Sequence, residues 1–133
     1  MDLKKYSFDF DGTLEDDFYG EPNNQKEEVQ GICKNLVKSG QDVYIITKRF
    51  GETYKDYGKK NEHVEVYKLA EELGIPKDKV YFTDRDMKVG RIKQLGINVH
   101  FENSELEVNH IRAVTPDIVV VHVENPNWQD SKY

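Results

Sequence analysis

Five short apolar runs recur along the chain, and their spacing is the feature that most restricts its fold. They read YSFDF, DVYIIT, KVYFT, INVHF and DIVVVHV, at residues 6–10, 42–47, 79–83, 97–101 and 117–123. Most of these runs are nearly continuous rather than alternating, which is typical of strands that are covered on both faces. The sequence therefore predicts five strands in a mostly parallel sheet.

Helical patterns separate the apolar runs. The clearest pattern covers residues 25–39, where one face carries Val29, Ile32, Cys33, Leu36 and Val37. Similar spacing covers residues 62–73, and a shorter helix is predicted at about 87–95. Strands that alternate with helices indicate an α/β domain with helices on both faces of the sheet.

The last predicted helix begins with SELE, in which Ser104 and Glu107 match a capping box. Its apolar face is predicted to carry Leu106, Ile111 and Val114.

Size and charge limit the class of protein. A chain of 133 residues can bury a core, so residues 1–133 are predicted to form one domain. Its net charge of −6 argues against general binding to nucleic acid or to an anionic membrane. The single cysteine, Cys33, fits a reducing compartment, and no run approaches the roughly 20 apolar residues of a membrane span. A cytoplasmic location is the expectation.

Two aspartates follow the first strand. In parallel α/β sheets, ligands bind at the carboxyl edge of the strands, and strand alternation places Asp9 and Asp11 on one side of the chain with Phe10 opposite. Carboxylates this close repel, so a nearby cation favours the ionised state of both. Gly12 permits a sharp turn, and Thr13 can hydrogen-bond back onto it. An ordinary turn is the alternative interpretation.

The stretch FDFDGTL, residues 8–14, resembles the first motif of the haloacid dehalogenase superfamily of phosphohydrolases, an apolar strand that ends in D-x-D-G-T-[LV]. The resemblance extends in order and spacing over about residues 6–123. Thr47 matches the second motif and Lys88 the third, whereas Glu102 and Asn103 stand where the fourth motif usually has aspartates. The resemblance implies a three-layer Rossmann-like fold without a cap domain.

The resemblance also implies a mechanism. Mg²⁺ is expected at Asp9, Asp11 (through its main-chain carbonyl) and Glu102, with Asn103 as a further oxygen ligand. Asp9 is expected to attack phosphorus and Asp11 to act as acid and base. Thr47 and Lys88 are then expected to stabilise charge on the transferred group.

Several alternatives remain open at this point. Asp84 and Asp86 compete with Glu102 as the fourth motif, and Lys59 and Lys60 compete with Lys88, which is otherwise a solvated surface lysine. Two rival functions are a receiver-like phospho-acceptor domain and a catalytically weak scaffold with the same fold.

The predicted substrate is a phosphomonoester: a sugar phosphate, a nucleotide or a nucleic-acid end. Residues 15–24 are long enough for a flap but not for a cap, and Glu15, Asp16 and Asp17 within it are interpreted as a solvated acidic run. Substrate contacts are expected from Gly12, Thr13, Lys48 and Arg49, the last two in a basic loop over residues 48–63. The tail, residues 124–133, is expected to anchor on the domain through Trp128, and a homo-oligomer is possible.

Overall fold

The computed structural model describes residues 3–52 and 61–133. Within these ranges five strands form one sheet, in which every pair of neighbours is parallel. The strands are β1 (Lys5–Phe8), β2 (Asp42–Thr47), β3 (Val80–Phe82), β4 (Val99–Glu102) and β5 (Val119–His122). The predicted fold class is confirmed, and the sheet is wholly rather than mostly parallel.

Four α-helices connect the strands in the described part of the chain. They are α1 (Lys26–Lys38), α2 (His63–Leu73), α3 (Val89–Leu95) and α4 (Glu105–Val114). Their bounds agree with the sequence patterns to within about two residues. None of the described helices is both long and apolar enough to cross a membrane.

Alternate residues of the strands build two cores, one on each face of the sheet. In β2, Val43 and Ile45 pack in the larger core, which also contains buried side chains of α1 and α2. Tyr44 and Ile46 point the other way, into a smaller core with side chains of α3 and α4. This alternation explains why the strands appear as continuous apolar runs in the sequence.

The strand order determines where a ligand site can form. The order is β3-β2-β1-β4-β5, so the direction of winding reverses between β1 and β4. Ligands of open α/β sheets bind in the crevice at the carboxyl ends of the strands at such a switch point. Receiver domains have the order 2-1-3-4-5, so the receiver-like alternative does not match this topology.

The predicted apolar face of α4 is wrong in two of its three positions. Ile111 is buried, but Leu106 is 67% exposed and Val114 is 44% exposed. Glu107 and Val108 are buried instead. Only half of the predicted capping box forms: the Ser104 hydroxyl accepts a hydrogen bond from the Glu107 N–H at 3.4 Å, but the Ser104 N–H donates to Glu102 rather than to Glu107. The helix is therefore rotated so that a carboxylate faces the sheet.

Residues 15–17 stay partly exposed, as expected of a solvated acidic run, but their carboxylates also make local contacts. Glu15 and Asp16 pair with the Lys26 ammonium at 3.2 and 3.3 Å. One oxygen of Asp17 accepts hydrogen bonds from the N–H groups of Tyr19 and Glu21. These contacts give the flap a defined turn.

The tail packs onto the domain, as the sequence predicts. Trp128 is buried, and its Nε1–H donates to Gln25 Oε1 at 3.0 Å. The ring of Tyr133 lies edge-on to Phe101, with centroids 5.2 Å apart.

Candidate functional site

Asp9 lies at the switch point, directly after β1. Its N–H donates to the Phe101 carbonyl at 2.9 Å, which extends the pairing of β1 with β4 by one residue. The buried carboxylate accepts hydrogen bonds on both oxygens, from Lys88 Nζ at 2.7 Å and from Thr13 Oγ1 at 3.1 Å. The sheet and two donors therefore fix the orientation of this carboxylate.

Lys88 is buried between two carboxylates. It immediately precedes α3, and its Nζ donates to Asp9 and also to Glu102 Oε1 at 2.6 Å. Only 2% of the residue is exposed, so the solvated-lysine alternative is excluded. Burial opposes the charged form, but the two ion pairs outweigh it and raise the pKa of Lys88 above the usual lysine value.

A chain of buried hydrogen bonds continues from Glu102 into the sheet. His100 Nε2 lies 2.9 Å from Glu102 Oε1, and His100 Nδ1 lies 2.7 Å from Ser7 Oγ. Burial lowers the pKa of His100, so the ring is neutral at pH 7. Because ionised Glu102 can only accept, Nε2 carries the proton and Nδ1 accepts from Ser7.

Sequence reasoning missed both Ser7 and His100. The available signal was period-two spacing, since Ser7 shares a strand face with Asp9, and His100 shares one with Glu102. Polar residues at alternate positions in two apolar strands indicate a buried polar row where those strands are neighbours.

The charges of this row are unevenly balanced. Glu102 also accepts the Ser104 N–H at 3.2 Å, so it has three donors. Burial favours its neutral form, but Lys88 and His100 outweigh burial and lower the pKa of Glu102 well below its usual value. Burial and the charge of Glu102 together raise the pKa of Asp9 well above its usual value, despite the contact with Lys88. One ammonium group, that of Lys88, is thus shared by two carboxylates, and Glu102 has the stronger set of donors.

Asn103 brings an amide oxygen to the hydroxyl group that bonds Asp9. Its Oδ1 lies 3.5 Å from the Thr13 hydroxyl, which also bonds Asp9. A carboxylate and an amide oxygen are the hard donors that Mg²⁺ prefers, and a cation there would offset the charge deficit of Asp9. Asp9 and Asn103 therefore fit the ion in donor chemistry.

The carboxylates of Glu102 and Asp11 are engaged by other side chains, while the predicted ligand atom of Asp11 is its main-chain carbonyl. Across residues 3–52 and 61–133, no group of three or more His, Cys, Asp and Glu side chains is arranged to hold a metal ion. Glu102 binds Lys88 and His100, and Asp11 pairs with Arg49. The assignment of Glu102 as a ligand remains a prediction.

Asp11 forms a bidentate ion pair with Arg49. Arg49 Nε and Nη2 donate to the two carboxylate oxygens at 2.9 and 2.8 Å, and Nη1 donates to the Glu62 carbonyl at 2.8 Å. Burial opposes the charge of Arg49, but the bonds and charge of Asp11 outweigh it and raise the pKa of Arg49. The sequence predicts that Arg49 binds substrate. In this structure it instead binds Asp11, the predicted acid–base residue.

The structure describes Thr47 of the second motif and Lys48 of the basic loop, but not the lysines further along that loop. Thr47 is buried at the end of β2, and its Oγ1 accepts the Arg49 N–H at 3.3 Å. Lys48 Nζ lies 3.6 Å from the buried Glu107 carboxylate, both of whose oxygens lack a hydrogen-bond partner in the described residues. The predicted basic residues Lys55, Lys59 and Lys60 lie outside the described ranges.

Asp84 and Asp86 are not brought to Asp9. They follow β3, the edge strand, whereas Glu102 ends β4, the direct neighbour of β1. The Asp84 carboxylate accepts the Gly51 N–H at 2.9 Å. The strand order therefore favours Glu102 over these two residues as the fourth motif.

Comparisons with known proteins give limited information. No protein-family model matches the chain, and no curated protein matches it. Among solved structures, the chain is similar to hypothetical protein PH1952 from Pyrococcus horikoshii OT3, with 16% identity and a TM-score of 0.37. The match covers 98% of this chain but 46% of that one, so the chain spans less than half of that protein's length.

Gly12 is predicted to be required for the position of Asn103. Its φ is +76°, and a Cβ atom there would lie 2.3 Å from Asn103 Nδ2. Gly40 is a matched control, because its φ is +82° and no atom lies within 4 Å of the place that a Cβ atom would take. Gly40→Ala should cost about 1–2 kcal/mol for the left-handed backbone alone. Gly12→Ala should cost about 1 kcal/mol more, because Asn103 loses its place beside Thr13. Chemical denaturation measures both.

In an Asn103→Gly background there is no side chain to clash, so adding Gly12→Ala to it should cost only about as much as Gly40→Ala. Equal losses in the two single alanine variants would show that the contact with Asn103 is irrelevant.

His100 is predicted to stabilise the fold through the buried row. Replacing it in His100→Leu leaves Ser7 without its acceptor and Glu102 with one donor fewer. We expect a loss of about 2–4 kcal/mol in the free energy of unfolding, since both groups stay buried. His63→Leu, at the partly exposed start of α2, is the control and should change stability by about 0.5 kcal/mol or less. Similar losses in both variants would contradict the prediction.

Proposed function

We propose that the chain is a magnesium-dependent phosphohydrolase of the haloacid dehalogenase type, which acts on phosphomonoesters through an aspartyl phosphate on Asp9. The observation that carries the proposal is the Asp9 carboxylate, held at the carboxyl end of β1 by Lys88 and Thr13. The second aspartate, Asp11, lies two residues further along the same turn. The two carboxylates that the proposal requires, as nucleophile and as acid–base group, thus both follow β1 at the switch point.

Asp9 supplies the nucleophilic oxygen. A bond forms from this oxygen to phosphorus while the ester P–O bond breaks, and the leaving oxygen takes a proton from Asp11. Water then attacks phosphorus, Asp11 takes a proton from it, and inorganic phosphate leaves with Asp9 restored. Such acid–base assistance is typically worth about 10²–10⁴-fold in rate.

Lys88 and Thr13 act mainly on Asp9 in this scheme. Lys88 Nζ already donates to Asp9 and to Glu102, so its charge orients the nucleophile. Thr47 lies buried at the end of the adjacent strand β2, where the family resemblance assigns a hydroxyl to the phosphoryl group. To give a proton to the leaving oxygen, Asp11 must first release at least one of its two hydrogen bonds from Arg49.

Asp9 and Asn103 would hold Mg²⁺. The family resemblance adds the Glu102 side chain and the main-chain carbonyl of Asp11 as further ligands. When bound, the ion supplies positive charge that screens the repulsion between the Asp9 carboxylate and a phosphate dianion.

The proposal predicts magnesium-dependent hydrolysis of a generic aryl phosphate. Activity should disappear with EDTA and return when excess Mg²⁺ is added. Asp9→Asn should lower kcat by at least about 10³-fold, because it removes the nucleophile. Steady-state release of the aryl alcohol measures both effects, and mass spectrometry of acid-quenched protein should find the phosphoryl group on Asp9.

Asp84→Asn is the matched control, because Asp84 is an exposed carboxylate in the turn after β3. Asp84→Asn should retain activity within about threefold of the parent chain. Activity that persists in Asp9→Asn would refute the nucleophile assignment. Absence of turnover on a broad phosphate panel, with Mg²⁺ still bound, would favour the scaffold alternative.

Two variants separate metal ligation from positioning. Asn103→Ala should raise the Mg²⁺ concentration needed for half-maximal activity at least about tenfold, because even the loss of a residue that only orients a metal ligand costs about 10–100-fold in affinity. Glu102→Gln should instead lower the maximal rate at saturating Mg²⁺, because its contacts are with Lys88 and His100. Titration of activity with Mg²⁺ distinguishes the effects. A shift in magnesium requirement for Glu102→Gln without a loss of maximal rate would make Glu102 a ligand.

A further inference from the structure

A cavity of about 470 Å³ adjoins Asp11 on the side of the flap. Its wall includes Asp11, Phe18, Tyr19, Lys48, Arg49 and Arg85, and we name it the flap cavity. Its volume lies in the range of small-molecule sites. Because Asp11 is the proposed proton donor to the leaving oxygen, the flap cavity is where the leaving group would lie.

The flap presents two aromatic rings at this cavity. Phe18 is 42% exposed and Tyr19 is 88% exposed, and their centroids lie 5.4 Å apart in an edge-to-face arrangement. The flap turn that carries them is tied by Asp17 to the N–H groups of Tyr19 and Glu21. A large ring left in solvent at a cavity mouth offers a surface on which a planar group can stack.

Cationic donors line the rest of the wall. The guanidinium carbons of Arg49 and Arg85 lie 5.1 and 5.4 Å from the Phe18 centroid. Arg85 lies in a left-handed turn together with Asp84, with φ of +75° and +52°. The main-chain and side-chain N–H groups of Arg85 donate to the Lys48 carbonyl at 2.8 and 3.1 Å, and these bonds hold the strained turn against the cavity.

We infer that the flap cavity binds the nucleoside part of a nucleoside monophosphate, an inference that rests on the proposed function. The base stacks on Tyr19, whose ring is the more exposed of the two. The polar edge of the base and the ribose lie against the cationic wall, where Arg85 is paired with the Glu62 carboxylate at 3.0 and 2.7 Å. A sugar phosphate would leave the rings without a planar partner. A phosphotyrosine side chain would place an apolar ring edge against the charged groups of the wall.

A second cavity, of about 460 Å³, lies on the other side of the site beside Gly12 and Asn103. Its wall includes the acidic residues Asp17, Glu21 and Glu124. Carboxylates repel an anionic ligand. Of these two cavities, the flap cavity is thus the better match for a nucleotide.

The test compares two substrates that share the ribose phosphate: adenosine 5′-monophosphate and ribose 5-phosphate. The parent chain should show a higher kcat/KM for the nucleotide. Tyr19→Ala should lower the ratio of the two kcat/KM values about tenfold, which is the usual effect of losing one base–aromatic stack. Phe18→Leu provides a second variant with the same expected direction. Leu106→Ala, which removes an exposed apolar side chain on α4, is the control and should leave the ratio unchanged.

Binding to Asp9→Asn keeps this inference separate from the proposed function. Calorimetry should show adenosine 5′-monophosphate binding more tightly than ribose 5-phosphate, with the difference lost when Tyr19→Ala is added. That result would support the cavity assignment even if no phosphate is turned over. Equal binding of both ligands would overturn it. Preference for a phosphotyrosine peptide or a 5′-phosphorylated oligonucleotide over the mononucleotide would overturn it as well.

Discussion

The buried ammonium of Lys88 is the interaction on which the candidate site depends. It lies 2.7 Å from Asp9 and 2.6 Å from Glu102, and almost none of it is exposed. Removing one partner of a buried ion pair typically costs about 3–5 kcal/mol, because the other charge stays buried. The end of β1, the end of β4 and the residue before α3 are thereby held together. The position of Asp9 is set by the sheet and a helix rather than by a mobile loop.

The central strands of the sheet bury apolar side chains on one face and polar side chains on the other. On one face, Phe8 and Phe101 stack with centroids 4.4 Å apart inside the larger apolar core. On the other face, the central strands carry a row of hydrogen-bonded polar groups in place of apolar side chains, made of Ser7, His100, Glu102 and Asp9. Such a row contributes little hydrophobic stabilisation. The larger core therefore allows the site to occupy the centre of the sheet.

The sequence predicts the fold better than it predicts the contacts of the site. Apolar runs and helical spacing identify the five strands and four α-helices of the described residues, since both follow from local periodicity. Asp9 and Lys88 are recognisable from motif order, but the Lys88 contact joins residues 79 positions apart and depends on strand order. The face of α4 is mispredicted because Lys48, a non-local partner, lies near buried Glu107. Patterns within one segment contain no information about such partners.

The ion pair between Asp11 and Arg49 links the proposed chemistry to the flap. Both Asp11 oxygens accept hydrogen bonds from the guanidinium, whereas a general acid must itself present an O–H group. Arg49 also lies over the rings of Phe10 and Phe18, at 4.9 and 5.1 Å from their centroids. A ligand that enters beside Phe18 therefore competes for the group that restrains Asp11. In the proposed mechanism, occupation of the flap cavity and release of the acid–base residue are consequently coupled through one side chain.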